Sequence, residues 1–213
     1  MTVIKRWYLK SFLTIFYLIF TVIFILYARN SLATETIALL RHAEKPSEGL
    51  GQLSCQGLNR ALALPEVLLK NFGKPDAIFA PNPFVKKIDH GIRYSYIRPL
   101  ATIEPTAIRV GLPVNLEWGF EDIESLKQTL ISSNLKDATI FVAWEHHLLD
   151  EIARGLLSSL HASSENVPTW KSDDFDSIYV ISITEDSNGH RSAVFKIIKQ
   201  GLNNQSKICS SHV

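Results

Sequence analysis

The chain has 213 residues, with 22 Lys and Arg against 21 Asp and Glu and a formal net charge of +1. That balance leaves no basic stripe to follow a nucleic-acid backbone, so nucleic acid is excluded as an expected partner. With residues 1–33 set aside, what is left has the length of one ordinary globular domain with a single buried core.

The first element is a targeting segment. From Ser11 to Ala28 the sequence SFLTIFYLIFTVIFILYA carries no charge, and Lys5, Arg6 and Lys10 precede it with no acid among the first ten residues. A basic start, an apolar middle and the small-residue ending Ser31-Leu32-Ala33 fit a secretory leader cleaved after Ala33. The apolar stretch is long for a leader and just short of the roughly 20 residues that span a bilayer, so a retained membrane anchor is the second reading. A buried core helix is disfavoured because the stretch has no polar face to meet water. Both readings divide the chain into residues 1–33 and a domain of residues 34–213 on the far side of the membrane, in the periplasm or its equivalent. In such an oxidising compartment Cys55 and Cys209 can be bridged, which would be worth up to about 4–5 kcal/mol of chain entropy. Two unpaired thiols are the alternative.

In chain order, Thr36 to Leu40 (TIALL) is too brief and too apolar for a helix and reads as a buried strand. Gly49, Gly51 and Ser54 mark a loop before helical spacing from Leu58 to Phe72, where Pro65 predicts a kink or restart. Ala77 to Ala80 reads as a second short strand, ended by Pro81-Asn82-Pro83. The polar and aromatic segment Lys86 to Arg98 is expected to be a loop. Ile103 to Val110 reads as a helix closed by Gly111 and Pro113, and Ser125 to Ser132 as another. Ala138 to Trp144 (ATIFVAW) is the clearest strand, followed by an amphipathic helix from Leu148 to Leu160. Ser177 to Ile183 and Ala193 to Lys199 are strands joined by a turn at Asp186 to Gly189. Continuous apolar strands alternating with helices imply an α/β fold in three layers, with a mostly parallel central sheet and helices on both faces.

Ligands of such sheets sit beyond the carboxyl ends of the strands. Two clusters lie there: Arg41-His42-Ala43-Glu44 after the first strand, and Glu145-His146-His147 after ATIFVAW. A neutral imidazole has a lone pair with which to attack phosphorus, so His42 can accept a phosphoryl group. The charge that then spreads over the phosphoryl oxygens calls for rigid, permanent cations, and Arg41, Arg60 and Arg98 are candidates, with His146 as a further donor. A carboxyl group must protonate the leaving oxygen, and Glu117 or Glu121 could serve.

These segments, in this order, resemble the histidine phosphatase superfamily, the phosphoglycerate-mutase-like branch. Leu39-Leu40-Arg41-His42-Ala43-Glu44 is similar to its Arg-His-Gly signature, and Leu53-Ser54-Cys55-Gln56-Gly57-Leu58-Asn59-Arg60-Ala61 to its Leu-Thr-x-x-Gly-x-x-Arg-Ala segment. Arg98-Pro99-Leu100-Ala101-Thr102 resembles its Arg-Ala-x-x-Thr element. Trp144-Glu145-His146 stands where the family keeps its second histidine. The resemblance implies a phosphoric monoester hydrolase with a phosphohistidine intermediate and no metal or other cofactor. It makes His42 the nucleophile and His146 and Glu117 catalytic partners, with Arg41, Arg60 and Arg98 binding substrate. Departures are Ala43 for glycine, Ala80-Pro81-Asn82-Pro83 for the usual Ser-x-Leu, an added loop before Arg98, and Glu145 where many members have glycine.

Other readings stand beside this one. His146, His147 and Asp150 could hold a zinc ion, although their spacing is not His-Glu-x-x-His and no third histidine is placed with them. Asp173, Asp174 and Asp176 read as a capping or solvated run. A catalytically weak protein that binds phosphorylated envelope components, and a mutase-like phosphotransferase, are the alternatives to a hydrolase acting on a small exported phosphate ester. Nothing in the sequence bears on oligomeric state.

Overall fold

The computed structural model describes residues 33–209, so the leader or anchor expected over residues 1–33 lies outside the described residues except for Ala33. No helix among the described residues is long and apolar enough to cross a membrane. Strand β1 (Ala33–Arg41) is the middle of a five-stranded sheet, where it lies parallel to β5 (Thr139–Trp144). β2 (Ala77–Phe79) runs parallel to β5 on its other side, and β6 (Ser177–Glu185) with β7 (Arg191–Lys199) forms an antiparallel pair beyond β1. The order is β2-β5-β1-β6-β7.

The run Ile37-Ala38-Leu39-Leu40 is fully buried, and the two-residue period of a strand sends its side chains to opposite faces. Ile37 and Leu39 enter a core shared with α3 (Ile123–Leu130) and α4 (His146–Ser159). Ala38 and Leu40 enter another, closed by α1 (Cys55–Phe72) and α2 (Arg98–Val110). A strand that must be apolar on both sides has to lie between two helical layers, and the expected three-layer α/β architecture follows.

Three local expectations are corrected. The segment from Lys86 to Arg98 is not a loop: β3 (Lys86–Asp89) and β4 (Ile92–Ser95) pair antiparallel, turned by His90 and Gly91 with φ of 49° and 79°. Two positive φ values in a two-residue connection suit the twist of a hairpin. The hairpin escapes a reading of periodicity because, of its strand residues, only Asp89 is buried. The helix expected from Ile103 begins at Arg98, with Pro99 in its first turn, where a missing N–H costs nothing. Pro65 neither splits nor restarts α1, which is one element of 18 residues held on the sheet by Leu64 and Leu68.

α1 opens with two devices that set its distance from the end of β1. The Ser54 side chain caps the helix by accepting from Gly57 N, and it also donates to the carbonyl of Glu44. A Cβ on Gly57 would come within 2.2 Å of that same carbonyl oxygen, so only glycine lets the helix start approach the loop after His42 this closely. Cys55, the first helical residue, is disulfide-bonded to Cys209, and Asn59 Nδ2 donates to the carbonyls of Ser206 and Ile208. The bond closes a loop spanning 154 residues of sequence. Replacing Cys209 by serine should therefore lower the unfolding free energy by about 2–5 kcal/mol in denaturant titrations, and reductant should do the same to the wild type but not to the variant.

Candidate active site

His42 follows the last residue of β1, and its backbone N–H donates to the Trp144 carbonyl at 3.0 Å, continuing the β1–β5 ladder. That bond brings the residue after β1 beside Glu145 and His146 after β5. The imidazole is 3 % exposed. Its Nδ1 lies 2.7 Å from the Ala43 carbonyl oxygen, which can only accept, so the proton sits on Nδ1 and the lone pair on Nε2. Burial, then the positive charges of Arg98 and Arg41, hold the imidazole down to about 3 against the pull of the Ala43 carbonyl. His42 is thus neutral and nucleophilic at any ordinary pH.

Two arginines flank it. Arg41 Nη1 donates to the Ser172 carbonyl at 2.7 Å and its guanidinium carbon lies 3.8 Å from the centre of the Phe175 ring. Burial brings Arg41 down to about 10, which leaves it protonated at neutral pH. Arg98 begins α2, and its Nη1 is fixed by Asp89 Oδ2 at 2.6 Å, with the pair almost wholly buried. Thr102, one helical turn on, donates to the Arg98 carbonyl and accepts from Ala43 N, tying α2 to the nucleophile loop. Tyr96 meets the His42 ring edge-on at 6.0 Å.

The arrangement leaves donors without acceptors. Arg41 Nε, Arg98 Nε, the Tyr96 hydroxyl and both ring nitrogens of His146 are buried and make no hydrogen bond. A buried polar group left unsatisfied costs about 1–3 kcal/mol, more when charged, so a cluster of them calls for a ligand. The two guanidinium nitrogens and the phenol can donate, a neutral imidazole can donate from one of its two nitrogens, and the two arginines are permanent cations. The complement is an anion with several oxygens.

His146 is the first residue of α4. Its Nδ1 lies 2.8 Å from Glu145 Oε1, close enough for an ion pair but off the line of an N–H bond. The other Glu145 oxygen accepts from Leu148 N and caps the helix. Burial raises the Glu145 carboxyl, but His146 and Lys87 outweigh it and bring it down to about 2. Glu145 is therefore an ionised clamp on His146 in the unliganded site. A cleft of about 490 Å³ opens beside it, lined by Glu145, Glu121, Phe120 and residues of β3 and β4. Trp144 Nε1 donates to the Phe120 carbonyl and so fixes the segment that carries Glu121.

The predicted site residues are not all brought together. Glu117 is exposed and is not among the residues lining the cleft, whereas Glu121 and Glu145 are. Arg60 is buried but already engaged: Nε and Nη2 grip the Glu44 carboxylate, Nη1 reaches Gln200 and Asp176, and Nη2 also reaches Asn203. It fastens Glu44, two residues past His42, to α1 and the C-terminal segment. Its hydrogen bonds go to these protein groups. Asp150 of the proposed metal set accepts from Trp170 N, and the residues that do approach one another are Glu145, His146 and His147, with one possible ligand atom each within 4.8 Å. The acidic run does cap: Asp174 Oδ1 accepts from the backbone of Asp176 and Ser177. The same segment also supplies the carbonyls that hold Arg41, with Phe175 beside His42.

The sequence matches no protein-family model, and no curated protein is significantly similar to it. Solved structures are. A protein provisionally assigned as the phosphohistidine phosphatase SixA from Nakamurella multipartitia is 14% identical, with a TM-score of 0.50 over 78% of this chain and 95% of that one. A mycobacterial glucosyl-3-phosphoglycerate phosphatase, solved with inorganic phosphate, is 13% identical, with a TM-score of 0.50 over 82% and 99%. The fold is that of the histidine phosphatases. Within that fold, Tyr96, Phe120, Lys87 and the segment 171–175 were not found from sequence. None belongs to a motif, and only an aromatic residue two positions before Arg98 offered a local signal.

The buried neutral imidazole has a consequence for stability. His42 binds a proton near pH 6.5 when unfolded and near 3 when folded, so between those values the unfolded state holds more protons. Its contribution is fully present above pH 6.5 and is lost progressively as pH falls towards 3. In urea titrations from pH 8 to 4, His42→Ala should show a shallower loss of stability than the wild type; identical slopes would mean that the imidazole is not buried neutral.

Proposed function

We propose that the protein is a phosphoric monoester hydrolase that works through a phosphohistidine on His42. The observation that carries this reading is the set of unsatisfied buried donors around an imidazole whose lone pair is fixed on Nε2. The phosphatases with which it shares its fold, one of them solved with inorganic phosphate, support it.

In the first step Nε2 of His42 attacks phosphorus and the bond to the ester oxygen breaks. The phosphoryl oxygens, which gather charge as this happens, face Arg41, Arg98 and His146. The departing alkoxide needs a proton. Glu145 is held ionised by His146 and Lys87, so Glu121, on the same cleft, is the better proton donor. In the second step Glu121 takes a proton from water as it attacks the phosphohistidine, releasing inorganic phosphate and restoring the neutral imidazole. No metal enters either step. The leader-like character of residues 1–33 supports a substrate outside the cytoplasm, among small phosphorylated compounds, with membrane attachment if the segment is retained.

Five outcomes test this. His42→Ala should leave less than about one hundredth of wild-type turnover of p-nitrophenyl phosphate, and wild-type protein quenched during turnover should carry an acid-labile, alkali-stable phosphate on His42. Glu121→Gln should slow esters of poor alcohol leaving groups by about 10²-fold or more and p-nitrophenyl phosphate much less, whereas Glu117→Gln should change neither. Activity abolished by a chelator and restored by zinc would replace this mechanism with a metal-dependent one at Glu145, His146 and His147. Saturable phosphate binding without turnover would make the protein a binding module.

A further inference from the structure

The C-terminal segment takes no part in the proposed steps, yet it braces both supports of the phosphoryl site. Gln200 is buried, and its side chain joins them: Oε1 accepts from Arg60 Nη1 at 3.1 Å, and Nε2 donates to the Phe175 carbonyl at 3.0 Å. Arg60 grips the carboxylate of Glu44, two residues past His42, while Phe175 lies against the Arg41 guanidinium in the segment whose carbonyls hold that arginine. Leu202 N donates to Asp176 Oδ1 at 2.8 Å, and Asn203 Oδ1 accepts from Arg60 Nη2 at 3.1 Å. One short run of chain, Gln200 to Asn203, therefore steadies the loop after the nucleophile and the anchor of Arg41 together.

That run is fastened from its far end. From Asn203 to Cys209 every residue is exposed or half-buried, and Asn59 and the bridge to Cys55 tie the segment to α1. Exposed hydrogen bonds compete with water and restrain a chain end weakly, so the covalent link decides how firmly the segment is held. The link also pins the start of α1. Cys55 follows Ser54, whose hydroxyl donates to the Glu44 carbonyl and caps the helix, so both ends of the bridge act on the loop that carries Glu44. Cys209 is exposed and Cys55 half-buried, which leaves the bridge open to thiols in solution.

We infer that the Cys55–Cys209 bridge is a redox control on the site: bridged, the protein holds its phosphate pocket in order; reduced, the C-terminal segment comes away and the pocket slackens. This rests on the phosphatase reading and adds a regulator to it. The reductant is a dithiol. Its thiolate attacks one sulfur of the bridge, forming a mixed disulfide and releasing the other cysteine, and its second thiol then displaces the first cysteine and closes the dithiol into a disulfide. The bridge takes up two electrons and two protons in all, and a disulfide oxidant such as oxidised glutathione reverses the exchange. Once Asn203 has left, water reaches Arg60 and weakens its hold on Glu44. His42 itself stays in place through its bond to Trp144, so the loss falls on the grip of phosphate more than on the chemical step.

Hydrolysis of p-nitrophenyl phosphate, with inorganic phosphate as inhibitor, tests this on the full chain, assayed in oxidised glutathione and in dithiothreitol with circular dichroism of the same samples. Reduction should raise both KM and the inhibition constant of phosphate by about fivefold or more, with kcat changed by less than about twofold, and reoxidation should restore them. Cys209→Ser should show the reduced values in both buffers. Asn203→Ala, with the bridge intact, should raise KM in oxidised glutathione part of the way. Equal constants in the two buffers, an Asn203→Ala protein unchanged in KM, or a Cys209→Ser protein with the constants of the bridged form overturns the redox control and leaves the phosphatase standing. So does a reduced chain that loses its circular-dichroism signal, because the bridge then serves the whole fold and not the pocket. An oxidised chain that hydrolyses no phosphomonoester overturns the phosphatase reading itself.

Discussion

The site depends on one backbone contact, the hydrogen bond from the His42 amide to the Trp144 carbonyl. It extends the parallel pairing of β1 and β5 by one residue past the strand end, where both chains turn away. Parallel neighbours end on the same edge of a sheet, so residues about a hundred positions apart in sequence emerge side by side. His42 comes from one strand; Glu145 and His146 come from the other. Nothing local to either segment would place them together.

Around that pair the molecule keeps positive charge buried and incompletely bonded. Each arginine is anchored through Nη1, Arg41 by the carbonyl of Ser172 and Arg98 by the carboxylate of Asp89, while Nε stays unbonded. Anchoring one side of a planar fork fixes the direction of the other, so the donors are aimed before any anion arrives. The difference between the anchors matters. A carbonyl leaves the full charge of Arg41 in the pocket, whereas Asp89 offsets part of that of Arg98. Arg60 shows the other use of the same side chain. Wrapped by Glu44, Asp176, Gln200 and Asn203, it holds the loop after His42 against α1 and the C-terminal segment.

Legibility of the site follows from how local its causes are. Ser54 was legible only as a loop marker and Gly57 only as part of a recognisable string; the structure gives both their work against Glu44. Arg41, His42, Arg98 and His146 were singled out because each sits at an element boundary in a recognisable string. Glu117 was placed ahead of Glu121 on sequence position, but the Trp144 indole fixes Phe120 and the cleft wall runs through Glu121. The hairpin, Tyr96, Lys87 and the 171–175 segment were invisible for the same reason: exposed strands and isolated buried rings leave no period, and their surroundings are set by what faces them.

Read alone, then, the sequence determined the layered α/β architecture and singled out the Arg41-His42 cluster at the end of the first strand, because strand burial and that cluster are written in consecutive residues. It also named the two cysteines that the fold joins. Only the tertiary structure decided which carboxylates reach the cleft, that Arg60 is tied to Glu44, and that Lys87 lines the same cleft as Glu121 and Glu145. Those are questions of distance between segments far apart in the chain, and such distances are fixed by how helices and strands pack on the sheet, not by the spacing of residues along it.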